Sequence, residues 1–305
     1  MGILSEQSLV HHNPVDNIFI ANVSKVQTTL VILASGGYWV LFSSNENVYC
    51  SSTELCLGVF LVLSAEELER YNRQMIIEGW GVEGQEKLKA SKVVVVGIGG
   101  LGCPASLYLA AAGVGTLVLI DEGRFELSNL NRQILGWTTD VGCLKAECAA
   151  EKLRALNPNV NVEAMSDRVD EENVAGIISE SDVVVDALDN WRTRFLLNRV
   201  CVEQRTPLIH AGIRGLYGQA LTIIPGEGPC LRCLLPETPM EVPHFPVLGA
   251  TPGLFAMIQA METFKVLLGL GEPLSGRMLV FDGMDTSFTL VDVKRSRTCP
   301  VCRHL

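Results

Sequence analysis

The stretch KVVVVGIGGLG, residues 92–102, runs four valines directly into a glycine-rich turn. An uninterrupted apolar run, rather than an alternating one, is what a strand covered on both faces of a parallel sheet requires. Gly97, Gly99 and Gly102 fit the pattern G-x-G-x-x-G. A strand entering a tight turn and then a helix offers free backbone N–H groups to an anion, and glycines let a phosphate approach without meeting a Cβ. Asp121 follows 24 residues after Gly97 at the end of the next apolar run, where a carboxylate can accept from a ribose hydroxyl. Loop and acid together read as a nucleotide site. They do not choose between NAD and ATP, and the loop by itself favours NAD.

The segments on either side keep the same grammar. TLVLID (116–121), VNVEAM (160–165), DVVVDAL (182–188) and PLIHAG (207–212) are strand-like. Helical spacing fills the intervals at 100–112, 144–156, 171–180 and 191–204; Ala146, Ala149, Ala150, Leu153 and Leu156 fall on one face of the second. Alternating strands and helices predict a parallel sheet covered on both faces. GQALTIIP, RMLVFDG and FTLVDVK come with fewer helices between them, and one long apolar helix over 253–268 packs beside them. The expected fold is therefore α/β: a Rossmann-like, mostly parallel sheet with an antiparallel continuation and helices on both faces.

Composition narrows the function. The 305 residues are 48% apolar, with 19% charged residues and a net charge of −10. Without a basic run, nucleic acid is excluded as the main partner, because backbone binding needs clustered Lys and Arg. No run reaches the roughly 18 apolar residues of a membrane span, and a cytoplasmic protein is expected. Ser64 with Glu67 three residues on forms a capping-box pattern that opens the regular region. Residues 64–305 are expected to be one domain. Residues 1–63 are rich in Ser, Asn and Thr and lack a sustained period; they read as an extension of uncertain structure, with translation from a start near residue 60, or an accessory strand-rich subdomain, as alternatives.

Ten cysteines include two C-x-x-C pairs, Cys230/Cys233 and Cys299/Cys302, separated by residues 234–298. Four thiolates with no open position make a structural zinc site; a redox pair or disulfides are the alternatives. Cys103, Cys148 and Cys201 read as small core hydrophobes. Basic residues then shift the nucleotide question. Asn129 and Arg132 in SNLNRQ lie just past the second strand, and Lys145 in VGCLK starts the next helix, at the mouth beside the loop. A further basic residue, Arg73 in RYNRQ, sits before the first strand. Hydride transfer has little use for them, whereas displacement at a triphosphate needs its charge neutralised.

In their order along the chain, RYNRQ, VGIGGLGCPAS, AGVGTLVLID, SNLNRQ, VDALDN, GPCLRC and CPVC resemble the MoeB/ThiF/HesA adenylyltransferases, relatives of the ubiquitin-activating enzymes. The resemblance spans about residues 64–303 and does not extend to residues 1–63. It implies an enzyme that uses ATP and Mg2+ to activate the C-terminal Gly-Gly carboxylate of a small ubiquitin-fold sulfur carrier, giving an acyl-adenylate and pyrophosphate for molybdenum cofactor, thiamine or tRNA thiolation. Gly99, Gly100 and Gly102 would hold the nucleotide, and Asp121 its ribose. Asn129, Arg132 and Lys145 would face the phosphates, Asp189 would bind magnesium, and Arg73 would reach across a symmetric homodimer. The catalytic set would be Arg73, Arg132, Lys145 and Asp189. Alternatives are a relative acting on a tRNA base or a peptide carboxylate, and a non-catalytic regulatory subunit.

The chemistry suits these residue types. A carboxylate attacking a phosphate meets like charge, which cations reduce, and it needs no general base because it is already ionised at neutral pH. Many relatives carry a cysteine in the loop before the long helix. Here LLPETPMEVPHFPVLGATPG (234–253) has none, so the adenylate would pass to an external acceptor such as a sulfur-donor protein. Cys143 and His244 are expected to play no chemical role.

Overall fold

The computed structural model describes residues 63–240 and 245–305 in full; before these it describes backbone strands alone, within residues 10–50. The chain divides into two compact units, Met1–Leu68 and Glu69–Leu305. In the first, β1 (Val10–Asn13), β2 (Ile18–Asn22), β3 (Thr29–Ser35), β4 (Tyr38–Ser43) and β5 (Glu46–Cys50) form an antiparallel meander in chain order. The first helix, α1 (Ala65–Arg70), opens on the reciprocal cap that the sequence predicts. The Ser64 N–H donates to Glu67 Oε2 at 2.8 Å, and the Glu67 N–H donates to Ser64 Oγ at 3.2 Å.

The second unit continues with α2 (Asn72–Met75), α3 (Gly81–Ala90), β6 (Lys92–Val96), α4 (Gly102–Ala112), β7 (Thr116–Ile120), α5 (Lys145–Leu156) and β8 (Asn161–Met165). Next come α6 (Val174–Ile178), β9 (Val183–Asp186), α7 (Trp191–Gln204), β10 (Leu208–Arg214), β11 (Tyr217–Ile223) and α8 (Leu231–Leu234). The chain closes with α9 (Ala250–Leu268), β12 (Arg277–Asp282) and β13 (Ser287–Asp292). One sheet of eight strands runs in the order β13-β12-β11-β10-β9-β6-β7-β8. The strands from β8 to β10 are parallel, and β11 to β13 continue the sheet antiparallel.

The valine run explains why the sheet is two-sided. Successive strand residues point to opposite faces. Val93 and Val95 enter a core with α3, α4 and α9, whereas Val94 and Val96 enter another with α6 and α7. Leu117 and Leu119 of β7 join the first core, and Val118 and Ile120 the second. Gln259, fully buried on α9, donates to Asp186 O (2.8 Å) and Ile209 O (3.0 Å), fixing that helix across β9 and β10.

Two helices differ from their sequence-based bounds. The span 171–180 shortens to α6, which is entered through a turn where Asp170 Oδ1 accepts the N–H groups of Glu172 (2.9 Å) and Asn173 (3.1 Å) as a helix N-cap does. The long helix starts earlier, at Ala250, with Pro252 in the first turn, where a missing N–H is harmless. No helix among the described residues is long and apolar enough to cross a membrane.

Candidate functional site

Strand β6 lies between β7 and β9, so the chain leaves it in opposite directions and opens a crevice at the carboxyl ends of the parallel strands. Such a switch point is where open α/β sheets bind ligands. A cleft of about 990 Å³ occupies it. Gly97 turns the chain with φ +95°, its N–H bonded to Ile120 O at 2.8 Å. A Cβ at Gly102 would sit 1.8 Å from Gly97 O, so α4 starts this close to β6 because residue 102 has no side chain. Gly99 and Gly100 line the cleft; Gly102 is buried behind them and closes the loop.

Asp121 stands against this loop. Its Oδ2 accepts the Ile98 N–H at 2.7 Å, and Oδ1 accepts the Gly123 N–H at 2.8 Å. An ionised carboxylate has about four lone-pair positions, which leaves capacity for a hydroxyl. A methyl group at Gly123 would lie 2.9 Å from Asp121 Oδ1 and 3.4 Å from Lys145 Nζ, so acid and amine converge on one glycine. Lys145 is the first residue of α5 and is held by its N–H to Gly123 O at 2.9 Å. Across the loop, Arg132 packs against Gly100 and donates to Ser128 O (3.0 Å) and Asn131 Oδ1 (2.9 Å).

Asp189 lines the opposite wall, in the turn from β9 to α7. That turn is pinned from below. The Leu188 N–H donates to Asp186 Oδ1 at 3.1 Å, and Arg194 donates to Leu188 O and, at 2.8 Å, to Ala211 O. Asn190 caps α7 by accepting the Thr193 N–H at 2.9 Å. Arg194 Nε also lies 3.6 Å from Asp186 Oδ1. Burial alone would raise the Asp186 carboxyl, but Arg194 and His210 outweigh it and hold it below the usual carboxylate range. Burial pushes His210 below its ordinary value against the pull of Asp186. The ring is therefore neutral, with its Nδ1–H bonded to Asp186 Oδ2 at 2.6 Å.

The structure thus brings Gly99, Gly100, Asp121, Arg132, Lys145 and Asp189 onto one cleft. It does not bring Asn129 or Arg73 there. Asn129 is buried in the SNLNRQ turn, its Oδ1 accepting the Glu126 N–H at 3.2 Å. Arg73 is exposed on α2, away from this chain's own cleft. Cys143 is exposed and off the cleft wall, and His244 lies outside the described residues. Pro239, Met240, Phe245 and Val247 bring the Pro-rich loop over the cleft beside β11 and β12. Two residues that the sequence reading passed over also line it: Gln133, whose Oε1 is buried without a partner, and Arg214. Gln133 ends the quoted SNLNRQ, and nothing in that stretch marks it as a residue of the cleft wall. Asp186 and His210 interrupt apolar runs, but the sequence does not show that they and Arg194 meet, because they come from β9, β10 and α7.

Behind the cleft, the two C-x-x-C pairs meet. The four Sγ atoms lie within 4.8 Å of one another. Individual spacings are 4.0 Å for Cys230–Cys233, 3.6 Å for Cys230–Cys299 and 3.3 Å for Cys233–Cys302. Thiolates at about 2.3 Å around a tetrahedral zinc stand about 3.8 Å apart, whereas a disulfide needs about 2.05 Å. The cluster fits a metal and not a pair of disulfides. Burial and the neighbouring thiols push Cys230 up, a penalty a bound dication would remove. Cys103 and Cys201 are buried core thiols; burial raises Cys103 to about 12. Cys148 is half-buried, with Lys152 Nζ at 3.1 Å from its sulfur.

A Rossmann-type switch point, a cleft that gathers Arg132, Lys145 and Asp189 beside a glycine loop, and a four-thiol knuckle define the class to which known proteins can be compared. The sequence profile of the ThiF family matches residues 71–301, and the chain belongs to that family. It is 50% identical over 247 residues to the SAMP-activating enzyme E1 of Haloferax volcanii, covering 79% of this chain and 91% of that one. The sulfur carrier protein adenylyltransferase of Thermus thermophilus is 46% identical over 247 residues, covering 78% and 91%. Among solved structures, that of E. coli MccB with ATP superposes with a TM-score of 0.68 at 26% identity, covering 80% of this chain and 77% of that one. The protein is an adenylyltransferase of the E1-like kind, an enzyme class that uses ATP.

Proposed function

We propose that the protein activates the C-terminal carboxylate of a small ubiquitin-fold carrier ending in Gly-Gly, using ATP and Mg2+, for sulfur transfer toward molybdenum cofactor, thiamine or thiolated tRNA. One observation carries the reading: Arg132 and Lys145 flank the glycine loop while Asp189 faces them across the same cleft. The names of the relatives from Haloferax volcanii and Thermus thermophilus support it.

The carrier's terminal carboxylate oxygen attacks the α-phosphorus of ATP, and the bond from that phosphorus to the bridging oxygen breaks. Acyl-adenylate and pyrophosphate are the products. The backbone amides of the loop bind the phosphates, and Asp121 orients the ribose. Arg132 and Lys145 neutralise charge that grows on the departing pyrophosphate. Asp189 would hold Mg2+, which supplies further charge neutralisation at the phosphates. Arg73, exposed and outside its own cleft, would complete a neighbouring cleft in a symmetric homodimer. Zinc in the four-thiol site would be structural, tying α8 and the C-terminal tail together. With no cysteine between residues 234 and 253, the adenylate passes to an external acceptor, for which a sulfur-donor protein is the expected partner. In domain terms, residues 64–305 carry this activity and residues 1–63 stand apart from it.

The test is ATP–pyrophosphate exchange with the metal-loaded protein and each small Gly-Gly-ending protein of the same genome. Exchange with one of them is expected; silence with all of them removes the reading.

A further inference from the structure

The Pro-rich loop leaves the thiol knuckle under the hold of one side chain. Arg232 belongs to α8 and stands between Cys230 and Cys233, two of the four clustered thiols. Its guanidinium carbon lies 3.6 Å from the centroid of the Phe195 ring on α7, within the range of a cation–π contact. The edge of the same group turns to the loop. Nη1 donates to Leu235 O (3.4 Å), Pro236 O (3.3 Å) and Thr238 Oγ1 (3.3 Å), long bonds that share one nitrogen. Among the described residues, no other side chain hydrogen-bonds to residues 235–240.

Phe195 gives this clamp a fixed base and carries it to the cleft. Phe195 is 7% exposed, and the Trp191 ring stacks on it with centroids 6.0 Å apart and planes at 30°. Trp191 lines the cleft. The Leu231 N–H donates to Asn198 Oδ1 at 2.8 Å, so the knuckle and α7 are joined a second time. Just past Thr238, Pro239 and the exposed Met240 also line the cleft, offering apolar surface that an extended peptide can cover. Where the loop returns, main-chain contacts suffice: the Gly215 N–H donates to Pro246 O at 2.7 Å, and Val247 bridges Gly215. Arg232 is thus the side chain on which the outgoing arm depends.

We propose that Arg232 is a positioning residue for the protein substrate: by holding residues 235–238 against α7, it sets Pro239 and Met240 as the wall along which the substrate's C-terminal tail lies. The inference rests on the proposed function. The nucleotide is bound from the other side of the cleft, by Gly99, Gly100, Asp121 and Lys145. A wall that touches the tail away from its reacting carboxylate holds ground state and transition state alike. Such uniform binding appears in KM and leaves kcat unchanged.

The experiment is ATP–pyrophosphate exchange by the full-length, metal-loaded protein with the small Gly-Gly-ending protein of the same genome that supports the highest rate. That protein is titrated at saturating ATP, and ATP at saturating protein substrate. Arg232→Gln is expected to raise the KM for the protein substrate about tenfold and to leave the ATP KM and kcat within about twofold. Arg232→Lys keeps the charge but loses the planar fork, and is expected to fall between the two. Thr238→Val, at an exposed position outside the knuckle, removes one acceptor and raises the same KM about threefold, which keeps the test sound if Arg232→Gln does not fold. An unchanged KM for the protein substrate, or a rise shared equally with ATP, overturns the role of Arg232 and leaves the proposed function standing. Absence of exchange by the unaltered protein with every Gly-Gly-ending protein overturns both.

Discussion

Arg194→Met is the sharpest probe of how the Asp189 wall of the cleft is held. The substitution keeps an apolar stem of similar length and removes the guanidinium of a residue that is 6% exposed. Two carbonyls, Leu188 O and Ala211 O, lose their charged donor, at about 1–2 kcal/mol each. Asp186 keeps only the Leu188 N–H and a neutral His210. Breaking a buried pair in this way costs about 3–5 kcal/mol. The cost has a pH signature. In the unaltered protein Asp186 titrates below its unfolded value, so it contributes stability at neutral pH that is lost as pH falls through the lower folded value. In Arg194→Met, burial is left to raise the carboxyl, so the ionised form carries the penalty and acid relieves it. His210 moves the same way, because Arg194 also lowers it and its removal makes protonation easier. Urea unfolding of both proteins should show a deficit of about 3–5 kcal/mol near pH 7.5 that shrinks as the pH is lowered toward 5. An equal deficit at both pH values refutes the charge account and leaves only lost packing.

Two further outcomes follow from the cleft and the knuckle. Arg132→Ala and Lys145→Ala should each lose about 3–6 kcal/mol of transition-state stabilisation, seen as near-abolished ATP–pyrophosphate exchange, with an unchanged thermal melt; near-normal exchange by either would remove that residue from the phosphate site. Chelation, or Cys233→Ser, should lower the melting temperature before it lowers the exchange rate per folded molecule, because a metal bound by four thiolates stabilises fold and not chemistry. Loss of activity at an unchanged melting temperature would contradict a structural role.

Much of the parallel sheet could be read from residues because the evidence there is local. Four consecutive valines state that β6 is buried twice, and Gly97 and Gly102 state where the chain turns. The Ser64–Glu67 cap was equally local, and the structure reproduces both of its hydrogen bonds. The cations around the loop were readable in kind but not in position. Nothing in SNLNRQ distinguishes Asn129, consumed by its own turn, from Arg132 and Gln133 on the wall. The Asp186–Arg194–His210 cluster was hidden for the opposite reason. Its members come from β9, α7 and β10, and only the parallel pairing of β9 with β10 brings Asp186 beside His210.

The start of α4 at Gly102 and the start of α7 at Trp191 both face the same crevice. Each helix carries roughly half a positive charge at that end, built from peptide groups that every residue possesses. Affinity for an anion is therefore woven into the main chain, whereas turnover depends on a few replaceable side chains. Descendants of such a chain can lose the reaction by single substitutions and still grip a nucleotide. Within this fold, nucleotide binding is a poor witness of activity, and pyrophosphate release is the measurement that separates a working enzyme from a retired one.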